Sequence, residues 1–292
     1  MRKKIILFIT VLLLFLNILS WEEVFVLASN DDLKVDFLDV GQGDSFFIQT
    51  PENHQILIDG GPDTSALQKI SSLMPFWDKT IDLVILTHPE SDHMQGLLDI
   101  LQRYKADYIL WTGIKKSETK GYSQYDTWMD ILAKQKNMGA KILIADANQE
   151  IKAGKLLIDT LYPLENLEGK EMKNTSNDTC VVSKLIFGNN SFLFTGDISF
   201  ATEKDIINSG ENLLSDVLKV AHHGSKYSTS DIFLSAVNPE IAAISVGAKN
   251  TYGHPTPEVL QRLEKFGIKV FRTDKDGDVK FVSDGNNLRL IK

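Results

Sequence analysis

Residues 81–86 read Ile-Asp-Leu-Val-Ile-Leu and run without a break into Thr-His-Pro-Glu-Ser-Asp-His at 87–93. A strand that is apolar at almost every position must be covered on both faces, which demands a layered fold with other elements packed on either side. Its polar exit is also informative, because layered sheets gather functional side chains at the ends of their strands. Two imidazoles and two carboxylates fall between His88 and His93. Taken alone, this stretch is either an acidic helix start with Asp92 near the N-cap or one half of a metal site. The other four histidines bear on the choice. His54 sits beside a turn and reads as a surface residue. His222, His223 and His254 follow strand-like runs or lie in Gly/Pro loops, and Asp59 and Asp197 also end such runs.

The same rhythm runs along the chain. Strand-like runs at 33–40, 45–50 and 55–60 are joined first by the Gly-rich connection VGQGDS. A helix is predicted over Ser65–Met74, stopped before Pro75. Another is predicted over Gln95–Tyr104, with Leu97, Leu98, Leu101 and Tyr104 at helical spacing, and a third over Tyr122–Lys136. Strands are predicted at 107–111 and 140–145. In the second half, runs at 155–163, 180–188 and 191–197 read as strands, the last two forming a hairpin through Gly188-Asn189-Asn190. A helix over Ser199–Ser209, a strand and loop at 216–224, and a βαβ-like stretch from Glu240 to Thr273 follow. Asp-Lys-Asp-Gly-Asp at 274–278 lacks the glycine spacing of an EF-hand loop and is read as a hairpin turn. No low-complexity linker divides the halves, so the expectation is one domain of two similar layers, each a sheet covered by helices.

The first 28 residues differ from the rest. Arg2, Lys3 and Lys4 precede an apolar run from Ile5 to Leu16, and Val-Leu-Ala at 26–28 fits a small-residue cleavage site. The segment is read as a secretory signal or, failing cleavage, as a membrane anchor through residues 5–19. The expected organisation is therefore residues 1–28 as signal or anchor and 33–292 as one domain, secreted or held at the outer face of a bacterial cytoplasmic membrane. Cys180 is the single cysteine, which excludes an intrachain disulfide framework and a cysteine-rich zinc site. The formal charge is -8, and removing residues 1–28 takes it to -9. A broad basic face for sequence-independent DNA binding is thereby disfavoured, although bound cations can supply positive charge locally.

Seven motifs in order, DVGQGDS, LIDGG, THPESDHMQG, NDTCVVSKL, FLFTGDI, LKVAHHGSKYS and TYGHPTPEVL, make residues 34–292 resemble the metallo-β-lactamase superfamily. Within it, the chain is similar to the hydrolase domain of the ComEC-type competence proteins. The resemblance implies an α/β (α+β) fold, a four-layer αββα sandwich with two divalent metal ions at one sheet edge. His88 corresponds to the first ligand of the His-x-His-x-Asp-His signature, Glu90 replaces its second histidine, and Asp92 and His93 correspond to ligands of the second cation. Asp197 matches the carboxylate that bridges both cations. One of His222 and His223 matches the late histidine ligand, and Asp59 matches the acid that orients the metal loop. The third histidine of the first cation's site has no counterpart. Either Asn177 or Asp178 stands in for it, or the first cation is held weakly.

Carboxylates in place of imidazoles harden the site and shift the expected cation from zinc toward manganese or magnesium, with zinc kept as an alternative. The chemistry that fits is hydrolysis by a metal-activated hydroxide, with Asp92 orienting it. His254 is expected to donate a proton to the leaving oxygen or to bond a phosphate oxygen, while Ser225 and Lys226 are placed to meet an anionic substrate. The resulting expectation is a phosphodiesterase, with single-stranded DNA the favoured substrate. Its rivals are hydrolysis of another ester (a teichoic-acid or phosphocholine phosphodiester, a lactone or a β-lactam) and a metal-binding, non-catalytic partner of DNA uptake or the cell envelope.

Overall fold

The computed structural model describes residues 2–28, 32–115, 123–172 and 176–291. Helix α1 spans Arg2–Ala28. Among the described residues, no helix is long and apolar enough to cross a membrane. Strands β1 (Leu33–Phe37), β2 (Phe46–Gln49) and β3 (Gln55–Ile58) form an antiparallel meander. Helices α2 (Ser65–Leu73), α3 (Ser91–Arg103) and α4 (Gln124–Asn137) then connect β3 to β4 (Thr80–Ile85), β5 (Lys105–Trp111) and β6 (Lys141–Ile144), all parallel.

The second sheet opens with antiparallel β7 (Gln149–Ala153), β8 (Leu156–Tyr162), β9 (Val182–Phe187) and β10 (Asn190–Phe194). Helices α5 (Phe200–Ser209), α6 (Asp231–Val237) and α7 (Pro257–Lys265) lead through β11 (Val217–Lys219) and β12 (Ile241–Ile244) to β13 (Lys269–Arg272), parallel to β10. After the short helix α8 (Thr273–Asp276), β14 (Val279–Ser283) and β15 (Leu288–Ile291) return to the first sheet. The orders are β15-β14-β1-β2-β3-β4-β5-β6 and β13-β12-β11-β10-β9-β8-β7.

Strand alternation builds the layers. On β4, Leu83 and Ile85 point into the core shared by the two sheets, whereas Val84, with Leu86 just past the strand, packs with α2 to α4. The shared core is aromatic at its centre: Phe37 of the first sheet stacks on Phe194 of the second with centroids 5.5 Å apart. A third apolar cluster lies between the second sheet and α5 to α7. The arrangement is the α/β four-layer αββα sandwich.

Two expectations need correction. Asp-Lys-Asp-Gly-Asp is not a hairpin turn. Residues 273–276 are helical, and the segment carries the chain from β13 in one sheet to β14 in the other. Helix α3 begins at Ser91, four residues earlier than the apolar spacing suggested, so Asp92 and His93 occupy its first turn. That early start depends on contact with the β3 exit. The Gly60 amide donates to the His93 carbonyl at 2.7 Å and the Gly96 amide to the Gly61 carbonyl at 2.9 Å. A Cβ on Gly96 would strike the Gly60 carbonyl oxygen, so only glycine lets the helix sit this close. The predicted helix start at Tyr122 lies outside the described residues.

Candidate metal centre

Strands β3, β4, β10, β11 and β12 all point their C-terminal ends at one edge of the sandwich. Asp59, His88, Asp197, the His222-His223 pair and Ser245 leave those five ends, so both sheets contribute to a single cluster. Asp59 is fully buried and accepts from the Thr87 amide (2.8 Å), the Thr87 hydroxyl (2.6 Å) and His93 Nδ1 (2.8 Å). The last bond fixes the His93 tautomer and turns its Nε2 toward Asp197 Oδ2, 3.5 Å away. His223 is set in the same way. Its Nδ1 donates to the Ser245 carbonyl at 2.8 Å, and its Nε2 lies 3.4 Å from both Asp92 Oδ2 and Asp197 Oδ2. His88 Nδ1 lies 3.0 Å from the Thr87 hydroxyl.

The His pair is separated by backbone geometry. His222 and His223 both adopt positive φ, 51° and 54°, in a tight turn that continues into Gly224 at 85°. The non-glycine residues pay steric strain for this conformation, a cost that strained functional turns carry. It places His223 inside the cluster and His222 on the half-exposed rim, near Asn177 Nδ2 at 3.3 Å and 5.6 Å from the His254 ring.

Lys219, at the end of β11, is entirely buried. Its ammonium donates to the Gly196 carbonyl at 2.7 Å, pairs with the buried Asp44 carboxylate, and lies 3.4 Å from Asp197 Oδ1. Asp197 therefore turns one oxygen toward a lysine and the other toward imidazoles. The Asp197 amide is anchored on Cys180 Sγ at 3.3 Å. Asp44 and Lys219 were not singled out from sequence. Asp44 ends the Gly-x-Gly-Asp stretch 41–44, where Gly41 and Gly43 have φ of 80° and 146°. A side chain at Gly43 would collide with the Asp92 carbonyl. That double glycine was the available signal; a lysine in a three-residue strand offered none.

Charge follows this geometry. Burial alone would raise Asp197, but His223, His93 and Lys219 outweigh it and hold its carboxyl well below the usual range. Asp92 is lowered against its burial by the positive charge of His223 and His93 beside it. Burial would depress His93 and His223, yet Asp197 with Asp59 lifts the first well above its ordinary value, and Asp197 with Asp44 lifts the second to about 10. His88 goes the other way, pushed well down by burial and by neighbouring His93. These carboxylates thus draw positive charge into a buried pocket.

The donor set fits a divalent cation. Asp92, His93, Asp197 and His223 each present a ligand atom, all within 4.8 Å of one another. The Nε2 atoms of His88, His93 and His223 are buried with no hydrogen-bond partner. Orphaned polar atoms of that kind are costly in a protein interior unless something binds them.

The remaining sequence candidates divide. The Glu90 carboxylate takes a hydrogen bond from the Ser176 hydroxyl on the side facing Asn177. Asp178 is turned away, accepting from Ser199 at 3.0 Å and Thr202 at 3.4 Å at the start of α5, so the structure does not bring it to the cluster. Ser225 is buried, and its hydroxyl accepts from the Tyr227 amide at 3.4 Å. Lys226 is exposed, with its ammonium 5.1 Å from the Tyr227 ring centre. His254 stands on the rim under Tyr252, ring centres 5.9 Å apart, and burial together with His222 and His223 lowers it to about 4.

Two sheets, their helices and a His/Asp cluster at one edge define a metal-dependent hydrolase fold. The model of the metallo-beta-lactamase superfamily matches residues 38–248, and the chain belongs to that superfamily. Among curated proteins it is similar to ComE operon protein 3 of Bacillus subtilis (strain 168), 30% identical over 267 residues, 85% of this chain and 33% of that protein. It is likewise similar to competence protein ComA of Neisseria gonorrhoeae, 30% identical over 254 residues, 86% of this chain and 32% of that one. The chain thus spans about a third of the length of these relatives. Among solved structures, the metallo-beta-lactamase fold protein YhfI from Bacillus subtilis shares the fold with a TM-score of 0.57 at 16% identity, covering 87% of this chain and all of that one. Igni18, a metallo hydrolase from Ignicoccus hospitalis, does so with 0.52 at 18% identity, covering 85% and 98%.

Proposed function

We propose that the chain is a metal-dependent phosphodiesterase that uses two divalent cations, manganese or zinc, and acts on single-stranded DNA in preference to other esters. The observation that carries the proposal is the trio of buried Nε2 atoms without a hydrogen-bond partner, on His88, His93 and His223, of which those of His93 and His223 lie within 3.5 Å of Asp197 Oδ2 at an edge assembled from both sheets. His93, His223, Asp92 and Asp197 would hold one cation. His88, Glu90 and Asp197 would hold the other, with Asn177 and His222 beside it. Cations bound there would supply an activated water and neutralise charge that develops on phosphoryl oxygens.

The chain's own residues do the positioning. Asp59 and the Ser245 carbonyl lock the two inner imidazoles as Nε2 donors, and Lys219 holds Asp197 so that Oδ2 alone faces them. Asp92 is kept ionised and is suited to orient the attacking water. His254 is neutral near pH 7, which suits it to a hydrogen bond with a phosphate oxygen rather than to proton delivery. Competence-protein relatives support nucleic acid as the substrate. The basic start and apolar run at residues 2–16 support a place outside the cell or at the outer face of the membrane.

The test is hydrolysis of single-stranded DNA and of bis-p-nitrophenyl phosphate across manganese, zinc and magnesium, beside an Asp197→Ala variant. Turnover that is lost in the variant supports the phosphodiesterase. DNA binding without turnover under every cation would replace it with a non-catalytic partner of DNA uptake.

A further inference from the structure

The edge opposite the donor cluster carries an exposed aromatic pair. Phe76 is 80% and Trp77 60% exposed, and their rings meet edge to face at 4.8 Å in the connection between α2 and β4. A contiguous pair of large aromatics left this open on a folded domain marks a candidate contact surface. The turn that holds them is rigid. The Asp78 amide donates to the Pro75 carbonyl at 3.0 Å, and the Asp78 carboxylate accepts from the Thr80 amide at 3.0 Å and from Gln55 Nε2 at 3.2 Å. The pair is therefore held outward by the sheet itself.

The partner can be read from the sheet register. Lys34 pairs with Gln49 and Gln49 with Gln55, while the next residue, Ile56, aligns with Leu83. Leu33 and Thr80 consequently begin their strands at the same edge, three strand spacings or about 14 Å apart. Leu33 is where α1 joins the domain, and five residue steps from Ala28 to Leu33 reach about 17 Å at most. The apolar side chains of α1 from Ile5 to Ile18 are exposed, so they too lack cover from the domain. Lys79 precedes Thr80 and Arg103 ends α3 just before β5, so both cations lie at this edge, together with the carboxylates of Asp32, Glu52 and Asp78.

We propose that Phe76 and Trp77 dock on a lipid bilayer, held there by the apolar segment that enters at the same edge. Trp77 sits at the headgroup boundary, where amphipathic aromatics are favoured, with the apolar Phe76 ring beside it on the acyl side. One surface thereby covers both apolar regions and leaves the donor cluster facing away from the membrane. This docking is independent of the hydrolase reading.

The test uses the full chain in vesicles of phosphatidylglycerol and phosphatidylethanolamine. In a Trp21→Phe background, Trp77 is the only exposed tryptophan, because Trp111 is 4% and Trp128 0% exposed. Subtracting the emission of the Trp21→Phe/Trp77→Phe protein isolates its signal. With brominated acyl chains that signal is expected to lose about half its intensity or more, while aqueous iodide has little effect. Three results would overturn the docking: no sedimentation with vesicles, quenching by iodide but not by bromine, or protection from both. The last would mean that protein, such as a second copy of the chain, covers the patch.

Discussion

The inner side of the donor cluster pins its imidazoles, whereas the rim leaves them loose. His93 and His223 each have one nitrogen bonded to a carboxylate or carbonyl and the other aimed at Asp197. His222 and His254 have ring and amide neighbours and partial exposure. Identical chemistry is thus held at different stiffness, and pinned ligands lose less freedom when they bind a cation. The inner site should therefore be the tight one. Replacing His223 with Ala should lower cation affinity and phosphodiester turnover by about a thousandfold or more, and His222→Ala by about tenfold. Calorimetric titration with manganese measures both, and equal losses would erase the distinction between the two sides.

Lys219 tests what the pinning costs. With Lys219→Met, Asp44 and Asp197 lose their buried counter-charge, and breaking such a group typically destabilises by about 3 kcal/mol. Urea melts in chelator should show that loss. Added manganese should restore more stability to the variant than it adds to the parent, because the cation then supplies the missing charge.

A carboxylate away from the cluster gives the opposite sign. Asp36 on β1 is buried, and burial raises it to about 6 despite Lys280 nearby. The folded state therefore favours its protonated form. Its contribution to stability is complete below the unfolded value near 3.8 and is lost as pH rises through about 6. Asp36→Asn should consequently stabilise the protein by roughly 3 kcal/mol at pH 7 and by almost nothing at pH 3. Thermal melts across that range check it, and a gain that does not depend on pH would remove burial as the cause. The smallest effect is expected on the rim. His254→Gln should cost about tenfold in turnover while leaving cation affinity unchanged, since it keeps a hydrogen-bond donor outside the ligand set.

The sequence made the sandwich and the cluster's outline legible for a definite reason. Polar residues that end apolar strands stand out, and Asp59, His88, Asp92, His93, Asp197 and the His pair all lie at or just beyond such ends. What it hid depends on distance in space. Lys219 looks like an ordinary lysine until β10 and Asp44 close over it, and the choice between His222 and His223 rests on a left-handed turn that no periodicity announces. The early start of α3 was hidden too, because two glycines on separate elements permit it. Asp178 misled because a short acidic stretch near a strand can equally serve the next helix, as its bonds to Ser199 and Thr202 show.

Because Asp92 and His93 hang from one sheet while Asp197 and His223 hang from the other, any ion they share acts as a rivet through two plates. Withdrawing it should leave each plate intact yet let them slide, so chelation ought to broaden the melting transition as well as lower its midpoint. The catalytic accessory would then double as the fastener that makes the two halves melt together.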